Sequence, residues 1–192
     1  MSSDDPRRGE GVERFRQFRR SRAERTFAWP ICHRSKTGFC PCEGTVLERL
    51  RLYARGTLME AALRLPFNRP KIRVLRWAGV EIGRNCYISA NVWIDPLFPE
   101  LVSIKDFAVI GAGARIVTHV FDRDRFVAGR ITIGEAAIVG GFSIVGPGVE
   151  IGREATVAVG AVVGRDVPPG RTAIGNPARI ITTPKHTAGD AQ

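Results

Sequence analysis

One histidine is distinguished by its chemistry and by its position. His119 is the only histidine between residues 81 and 182, and it ends the run Arg115-Ile-Val-Thr-His. Imidazole changes charge near neutral pH, so this side chain is suited to take a proton from a hydroxyl or an amine. A solvated histidine at the edge of a loop is the alternative interpretation.

A second group of possible ligands lies nearer the start of the chain. It consists of three cysteines and a histidine within 11 residues, namely Cys32, His33, Cys40 and Cys42. Thiolates and imidazole can hold Zn²⁺, but the paired C-x-x-C spacing of structural zinc sites is missing. Packing within a loop is therefore favoured over a metal site, and redox pairing is a further alternative.

Length and composition fit a globular protein. The 192 residues suit one domain with an appendage, and 44% are hydrophobic. No apolar run approaches the roughly 18 residues of a membrane span, and the first 30 residues lack the apolar core of a secretory signal. We therefore expect a cytoplasmic protein whose four cysteines stay reduced.

The positive charge is confined to one part of the chain. Residues 1–80 contain 18 Lys and Arg against 8 Asp and Glu, whereas residues 81–192 contain 11 of each. Residues 1–30 are expected to form a flexible basic tail. Such a tail can attract polyanions, but this one has few aromatic residues and no recognised nucleic-acid motif, so nucleic acid is not an expected partner.

An internal repeat of six residues dominates the second part. An aliphatic residue, often followed by Gly, precedes a small residue or Val by four places. This period fits a short strand and a corner, with the aliphatic side chain inward and the Gly both relieving crowding and taking a positive φ at the bend. The fourth-following positions include Phe98 and Val120. The aliphatic positions are Ile82, Ile88, Ile94, Ile104, Ile110, Ile116, Ile133, Val139, Val145, Ile151, Val157 and Val163.

The repeat predicts a mainly β solenoid. Three sides close a coil of 18 residues, so these twelve hexads predict four stacked coils around an apolar column. A β-sandwich with accidental spacing is the alternative. The period leaves handedness open, and the usual crossover rule favours right-handed connections. Breaks occur at Glu100–Ser103 and Asp122–Thr132, the second just after His119, and loops that leave a solenoid often have functional roles.

The segment from Ile133 to Ile181 resembles the hexapeptide-repeat acyltransferases, the group of maltose, galactoside and xenobiotic O-acetyltransferases. Its closing D-V-P-P-G and G-N-P-A-R stretches are the most specific part. The resemblance covers roughly residues 72–182. It implies a left-handed parallel β-helix, a homotrimer and acetyl-CoA as acyl donor.

The resemblance also assigns roles around His119. His119 matches the catalytic histidine of the family and would act as the general base for direct attack on the thioester. Asn91 matches an asparagine that contacts the acceptor or the reaction centre, although a corner asparagine in the left-handed region is the alternative. Asp95 would orient His119, bind acceptor hydroxyls or be merely solvated, and Glu100 has the same standing.

Aromatic and metal-binding alternatives are weaker. Trp93 and Phe98 could stack on a sugar, but packing at a subunit interface is favoured. Carbonic anhydrases of the gamma type share this solenoid and need several histidine ligands. The repeat contains only His119, so no metal is expected there.

Small residues and arginines suggest where coenzyme A would lie. The pantetheine arm would run between coils, where Gly140, Gly141, Ala158 and Gly160 leave room. By resemblance Arg179 would meet the adenosine phosphate, and Arg165 occupies a position often held by Lys. Many relatives have Trp where this chain has Ile138, so preferences for acceptor and acyl chain do not transfer.

Residues 45–65 predict an amphipathic helix that Pro66 ends. We expect it to pack on the solenoid or on a neighbouring subunit; resting on an anionic membrane is the alternative. The expected domains are the tail 1–30, a Cys-containing loop and helix over 31–80, the β-helix 81–182 and a flexible tail 183–192. The apolar stripe comprises Leu47, Leu50, Ala54, Leu58, Ala61, Ala62 and Leu65.

These interpretations predict an acetyl-CoA-dependent O-acetyltransferase that acts on a saccharide or a cell-envelope glycan. The enzyme would be cytoplasmic, with peripheral contact at the inner membrane face. An N-acyltransferase acting on an amino sugar would use the same base and is an alternative. A non-catalytic trimeric scaffold docked on membrane or polyanion is another, and it would need neither His119 nor Arg179.

Overall fold

The computed structural model describes residues 6–30, 45–122 and 125–182. The Cys32, His33, Cys40 and Cys42 cluster and the tail 183–192 lie outside the described residues. Three α-helices are present in the described chain: α1 (Pro6–Arg20), α2 (Val46–Arg64) and α3 (Asn68–Ala78). Among the described residues, no helix combines the length and the hydrophobicity needed to cross a bilayer.

The remaining described elements are short strands and one 3-10 turn at Pro99–Leu101. The strands are β1 (Thr26–Pro30), β2 (Glu81–Ile82), β3 (Tyr87–Ile88), β4 (Trp93–Ile94), β5 (Val102–Ile104), β6 (Val109–Ile110), β7 (Arg115–Ile116), β8 (His119–Asp122), β9 (Arg125–Gly129), β10 (Ile131–Ile133), β11 (Ile138–Val139), β12 (Ile144–Val145), β13 (Glu150–Ile151), β14 (Thr156–Val157), β15 (Val162–Val163), β16 (Arg171–Ile174) and β17 (Arg179–Thr182).

The strands of the repeat form the three sides of a parallel β-helix. The first side is the sheet β2-β5-β10-β13, the second contains β3-β6-β11-β14-β16, and the third is β4-β7-β12-β15. Ile82 pairs with Ile104, Ile104 with Ile133 and Ile133 with Ile151, so aliphatic residues stack on aliphatic residues. The predicted register and the four coils are therefore confirmed. Val167 and Ala173 begin a fifth coil, which the repeat analysis missed.

The expected role of the repeat glycines is wrong in one respect. The positive φ angles fall three residues after the inward aliphatic residue, for example 54° at Asn85 and 57° at Asn91. The glycine directly after the aliphatic residue is needed because neighbouring coils approach closely. A Cβ on Gly140 would lie 2.6 Å from the carbonyl oxygen of Val157, a distance too short for any side chain.

The second break of the repeat forms a β-hairpin. Strands β8 and β9 pair antiparallel, and β9 pairs on its other edge with β1 from the N-terminal region. Because β8 turns away from the solenoid, Val120 is 41% exposed and does not enter the apolar column as predicted. The inward residue at this point is Thr118, which is fully buried.

The N-terminal region differs from the flexible tail that composition predicted for residues 1–30. Its described part, residues 6–30, forms α1 and β1, and Phe15 and Phe18 of α1 are buried. They belong to an aromatic cluster, separate from the solenoid column, with Phe27, Phe98 and Phe126. The guanidinium of Arg130 donates to the carbonyl oxygens of Phe18, Arg19 and Ser21, which caps the end of α1.

Helix α2 confirms the predicted helix but not the face expected to pack. It begins at a capping box in which Thr45 and Glu48 exchange hydrogen bonds. The buried side contains Gly56, Met59, Ala62 and Leu63, whereas most of the predicted apolar stripe is exposed. Gly56 explains the choice of face, because a Cβ there would lie only 3.2 Å from Cβ of Pro96.

Helix α3 covers the open edge of the first coil. The side-chain amide of Asn68 makes hydrogen bonds that a neighbouring strand would otherwise make. Its Nδ2 donates to the carbonyl of Cys86, and its Oδ1 accepts from the N–H of Ile88. Lys71 is 1% exposed, and its Nζ donates to the carbonyls of Ile88 and Ser89 at 2.9 and 2.8 Å. Burial lowers the pKa of Lys71. These bonds satisfy backbone groups that would otherwise lack partners.

Replacing Lys71 by Met should therefore destabilise the protein. The variant keeps the apolar stem but leaves the two carbonyls without their donor, at a cost of about 2 kcal/mol. Urea denaturation followed by circular dichroism measures this loss. Arg73→Met, on the exposed side of the same helix, is the matched control and should change stability little. Equal stability of the two variants would contradict an edge-capping role for Lys71.

Candidate active site

The His119 side chain is held by a buried carboxylate. Nδ1 of His119 lies 2.5 Å from Oδ2 of Asp95, and the same oxygen accepts from Oγ1 of Thr118 at 2.5 Å. Oδ1 of Asp95 accepts from the N–H of Leu97 at 3.0 Å. Asp95 is fully buried, whereas the His119 side chain is 16% exposed. Of the roles expected for Asp95, this geometry fits orientation of the imidazole.

Stacking of coils brings the two residues together. Asp95 follows β4 in the first coil, and Thr118-His119 follow β7 in the second. The two strands are parallel neighbours with Ile94 opposite Ile116, and the N–H of Asp95 donates to the carbonyl of Ile116. Positions at the same phase of adjacent coils are separated by about 4.8 Å. A single side chain spans that distance.

The environment of Asp95 favours its ionised form. Burial alone would raise the pKa of this carboxyl. The hydrogen bond from His119 and the charge that the imidazole can bear, together with the bonds from Thr118 and Leu97, outweigh burial and leave the pKa below its ordinary value. Because a carboxylate only accepts, Nδ1 of His119 is the donor, and Nε2 is left to accept a proton.

Aromatic rings surround the imidazole. The ring of Phe98 meets it edge-on at 5.3 Å between centroids, and Phe126 lies at 5.7 Å. Phe98 is 1% exposed within the single chain, so it packs against His119 and is available neither to stack on a sugar nor to pack at a subunit interface as expected. Phe121 lies at 6.1 Å and is 58% exposed. It is the aromatic ring of this group that solvent reaches.

The structure gives Glu100 a different setting from the one expected. Its carboxylate lies 2.5 Å from the Arg19 guanidinium and 3.9 Å from that of Arg55, so it joins α1 and α2 to the first break. Asn91 occupies the corner between β3 and β4 in the left-handed region, as the alternative interpretation predicted. Its backbone N–H donates to Leu63, and its side chain is exposed.

The small residues assigned to coenzyme A come together at one corner. Gly140-Gly141 and Ala158-Val159-Gly160 are the same corner of successive coils, and the N–H of Gly160 donates to the carbonyl of Gly141. A Cβ on Gly141 would lie 2.9 Å from the carbonyl oxygen of Ala112 in the coil below. This corner and His119 lie at opposite ends of the third side.

The two arginines assigned to the nucleotide lie at the C-terminal end of the solenoid. Arg165 follows β15 and donates weakly to the carbonyl of Ala178 at 3.4 Å. Arg179 begins β17 and is exposed. Ala178 precedes Arg179 directly, so the structure brings both arginines to the same hairpin.

Sequence reasoning missed Thr118 and Phe126 as neighbours of His119. The burial of Thr118 could not be predicted, since the other positions two places after an inward aliphatic residue are exposed or partly exposed. Phe126 gave no signal, because it lies in an insertion without the six-residue period.

The repeat domain is similar to known proteins. The model for the hexapeptide repeat of succinyl-transferase matches residues 74–96 and 130–165. Galactoside O-acetyltransferase of Escherichia coli is 30% identical over 111 residues, which are 54% of this chain and 54% of that protein. YvoF of Bacillus subtilis, provisionally named an acetyltransferase, is 34% identical over 104 residues, which are 54% of this chain and 60% of YvoF.

Solved structures agree with the fold. A maltose O-acetyltransferase from Clostridium difficile superimposes with a TM-score of 0.57 at 18% identity, over 70% of this chain and 87% of the other. A hexapeptide-repeat acetyltransferase from Vibrio cholerae, solved with acetyl-CoA, gives a TM-score of 0.53 at 21% identity, over 72% and 90%.

The fold is thus a left-handed parallel β-helix, and the right-handed crossover rule does not hold here. The repeat domain is similar to these acetyltransferases over its hexapeptide repeats, which confirms the resemblance drawn from the sequence. The chain spans only about half to three fifths of the length of the two curated relatives described above.

Replacing Asp95 by Asn should destabilise the protein in a pH-dependent way. The folded-state pKa of Asp95 lies below its ordinary value of 3.8, so ionisation stabilises the fold above that pH. The stability gap between wild type and variant, about 2 kcal/mol at neutral pH, should shrink as the pH falls below 3.8. Urea denaturation over the acid range measures it.

The control is Asp122→Asn, which removes a half-exposed carboxylate from the β8–β9 hairpin that contains His119. A gap between wild type and Asp95→Asn that stays constant across the acid range would contradict the charged hydrogen bonds assigned to Asp95.

Proposed function

We propose that this protein is an acetyl-CoA-dependent O-acetyltransferase with His119 as general base. The observation that carries the proposal is the pair of His119 with the buried Asp95, which leaves Nε2 available to accept a proton. A non-catalytic scaffold does not require a buried carboxylate that orients an imidazole with 16% of its side chain exposed. The similarity of the repeat domain to hexapeptide-repeat acetyltransferases supports the same conclusion.

The reaction follows from the properties of the pair. The acceptor hydroxyl gives its proton to Nε2 of His119 while its oxygen attacks the thioester carbonyl carbon. The Asp95 carboxylate stabilises the imidazolium that forms. When the tetrahedral intermediate collapses, the thiolate of coenzyme A leaves and takes the proton from Nε2. Asn91 lies at the β3–β4 corner, at the end of the third side opposite His119, so it is assigned to the acceptor or to the developing oxyanion at the His119 of an adjacent chain.

The donor would lie along the small-residue corner. Gly140, Gly141, Ala158 and Gly160 present backbone groups with little side-chain bulk, which suits the extended amide chain of pantetheine. The exposed guanidinium of Arg179, with Arg165 nearby, would bind the nucleotide phosphates. Acetyl-CoA occupies the Vibrio cholerae structure with the same fold.

The arrangement favours a site shared between subunits. His119 and the small-residue corner lie at opposite ends of one six-residue side, a span of up to roughly 20 Å. A thioester held at one chain's corner would meet His119 of an adjacent chain when two third sides face each other. We therefore propose a homotrimer, as the sequence resemblance implies.

The proposed acceptor is a hydroxyl of a saccharide. Phe121 supports it, because an exposed aromatic ring beside His119 can stack on the apolar face of a sugar ring. The relatives named for maltose and galactoside support the same class. A cytoplasmic location stays a prediction.

Loss of the base should remove turnover without removing donor binding. His119→Ala is expected to lower kcat by about two orders of magnitude or more, measured as release of the free thiol of coenzyme A with a panel of saccharides. Arg115→Ala, an exposed residue of the same run, is the control. Wild-type turnover by His119→Ala would refute the assignment.

Loss of Arg179 should weaken the binding of acetyl-CoA. Calorimetry of Arg179→Ala is expected to show a dissociation constant raised about tenfold to a hundredfold, since one charged hydrogen-bond partner is lost. Arg153→Ala, at a corner between the first and second sides, is the matched control. Unchanged affinity would contradict the role of Arg179, and absence of binding to the folded wild type would refute the donor itself.

A further inference from the structure

The exposed side of α2 is unusually apolar. Val46, Leu50 and Tyr53 are 81%, 64% and 61% exposed. Leu47, Leu58 and Leu65 are each more than 40% exposed. Val46, Leu50 and Tyr53 follow one another at four and three residues, Leu47 and Leu58 fall on the same side of the helix, and Leu65 is its C-cap. We call these six residues the α2 outer face.

This face is not required by the fold. The opposite side of α2, with Met59, Ala62 and Leu63, makes the contact with α3 and the first coil. Apolar side chains that a fold does not bury are costly for solubility, and a contiguous group of them marks an interaction surface.

The charge around the face selects its partner. Residues 45–80 contain eight Lys and Arg and two Asp and Glu. Arg55 pairs with Glu100 and Lys71 is buried, so neither contributes to the surface charge in full. One of the two acids, Glu48, is engaged in the capping box. Because α3 packs on the opposite side of α2, the exposed basic residues near the face are those of α2 itself, namely Arg49, Arg51 and Arg64.

We propose that the α2 outer face docks on an anionic lipid bilayer. A helix with an apolar strip bordered by arginines lies in the plane of a membrane interface, where apolar side chains enter the acyl boundary and guanidinium groups reach the headgroups. Arg51 borders the strip on one side, and Arg64 lies at its C-terminal end. A second copy of the chain fits poorly, because two such faces would bring arginines against arginines.

The docked helix also packs on the segment that carries Asp95. Gly56 contacts Pro96, and Nη2 of Arg55 donates to the carbonyl of Leu97 at 3.3 Å. A helix is about 10 Å across, so the His119 pair would lie within a few helix diameters of the bilayer. Resting on the proposed function, this position suits an acceptor glycan attached to a lipid.

Vesicle binding tests the surface without any assay of turnover. The full chain is sedimented with vesicles of phosphatidylcholine alone and of phosphatidylcholine mixed with phosphatidylglycerol. Binding is expected with the mixed vesicles, and it should weaken as salt rises. Arg51→Gln with Arg64→Gln should weaken it about thirtyfold, since each arginine contributes near the surface. Leu50→Gln with Leu58→Gln should weaken it at least tenfold.

The control is Ile174→Gln with Ile181→Gln, two apolar residues exposed on the C-terminal hairpin. Circular dichroism establishes that all variants keep their helices. The proposal is overturned if the wild type binds neither vesicle, or if the leucine variant binds as tightly as the wild type. A shift of the leucine variant to a smaller assembly in solution would instead assign the face to a second copy.

Discussion

Hydrogen bonding between successive coils is the constraint on which the rest of the structure depends. Each short strand donates to the strand one coil further on, as Lys105 donates to the carbonyl of Ile133. A residue inserted within a side would rotate every later side chain out of the column, so insertions are confined to corners. Both breaks of the repeat obey this rule, and both corners become sites where other elements attach. Asp95 and His119 meet because the same coil-to-coil register places their corners one above the other.

The fold could be predicted to the extent that its contacts are local. The position of a residue within the six-residue period predicts whether its side chain is buried. The apolar column, its register and its four coils could therefore be predicted from the sequence. The handedness of the β-helix could not be predicted, because left-handed and right-handed coils can have the same repeat length. His119 could be singled out by its position at a break. The choice among the three roles of Asp95 needed the stacking of two coils, which the sequence does not display.

The N-terminal region shows why the rest could not be predicted. Arg19 and Glu100 are 81 residues apart in sequence, and no periodicity connects them. Phe15 meets Phe98 at 5.0 Å, and Phe98 meets His119 at 5.3 Å, so an apparently polar tail supports the imidazole through one intervening ring. The amphipathic pattern of α2 likewise identified which residues are apolar. The pattern could not predict that Gly56, and not the leucines of the predicted apolar stripe, would face the solenoid.

Residues 95–100 unite these elements. Asp95 orients His119, Leu97 accepts from Arg55 of α2, and Glu100 pairs with Arg19 of α1. Each of these contacts is made with a different element, so the β8–β9 hairpin, α2 and α1 together hold the segment in place. A surface that fixes α2, such as a bilayer, would therefore act on the same few residues that hold the imidazole. The basic helical region and the neutral solenoid are therefore structurally coupled through residues 95–100, at the first break of the repeat.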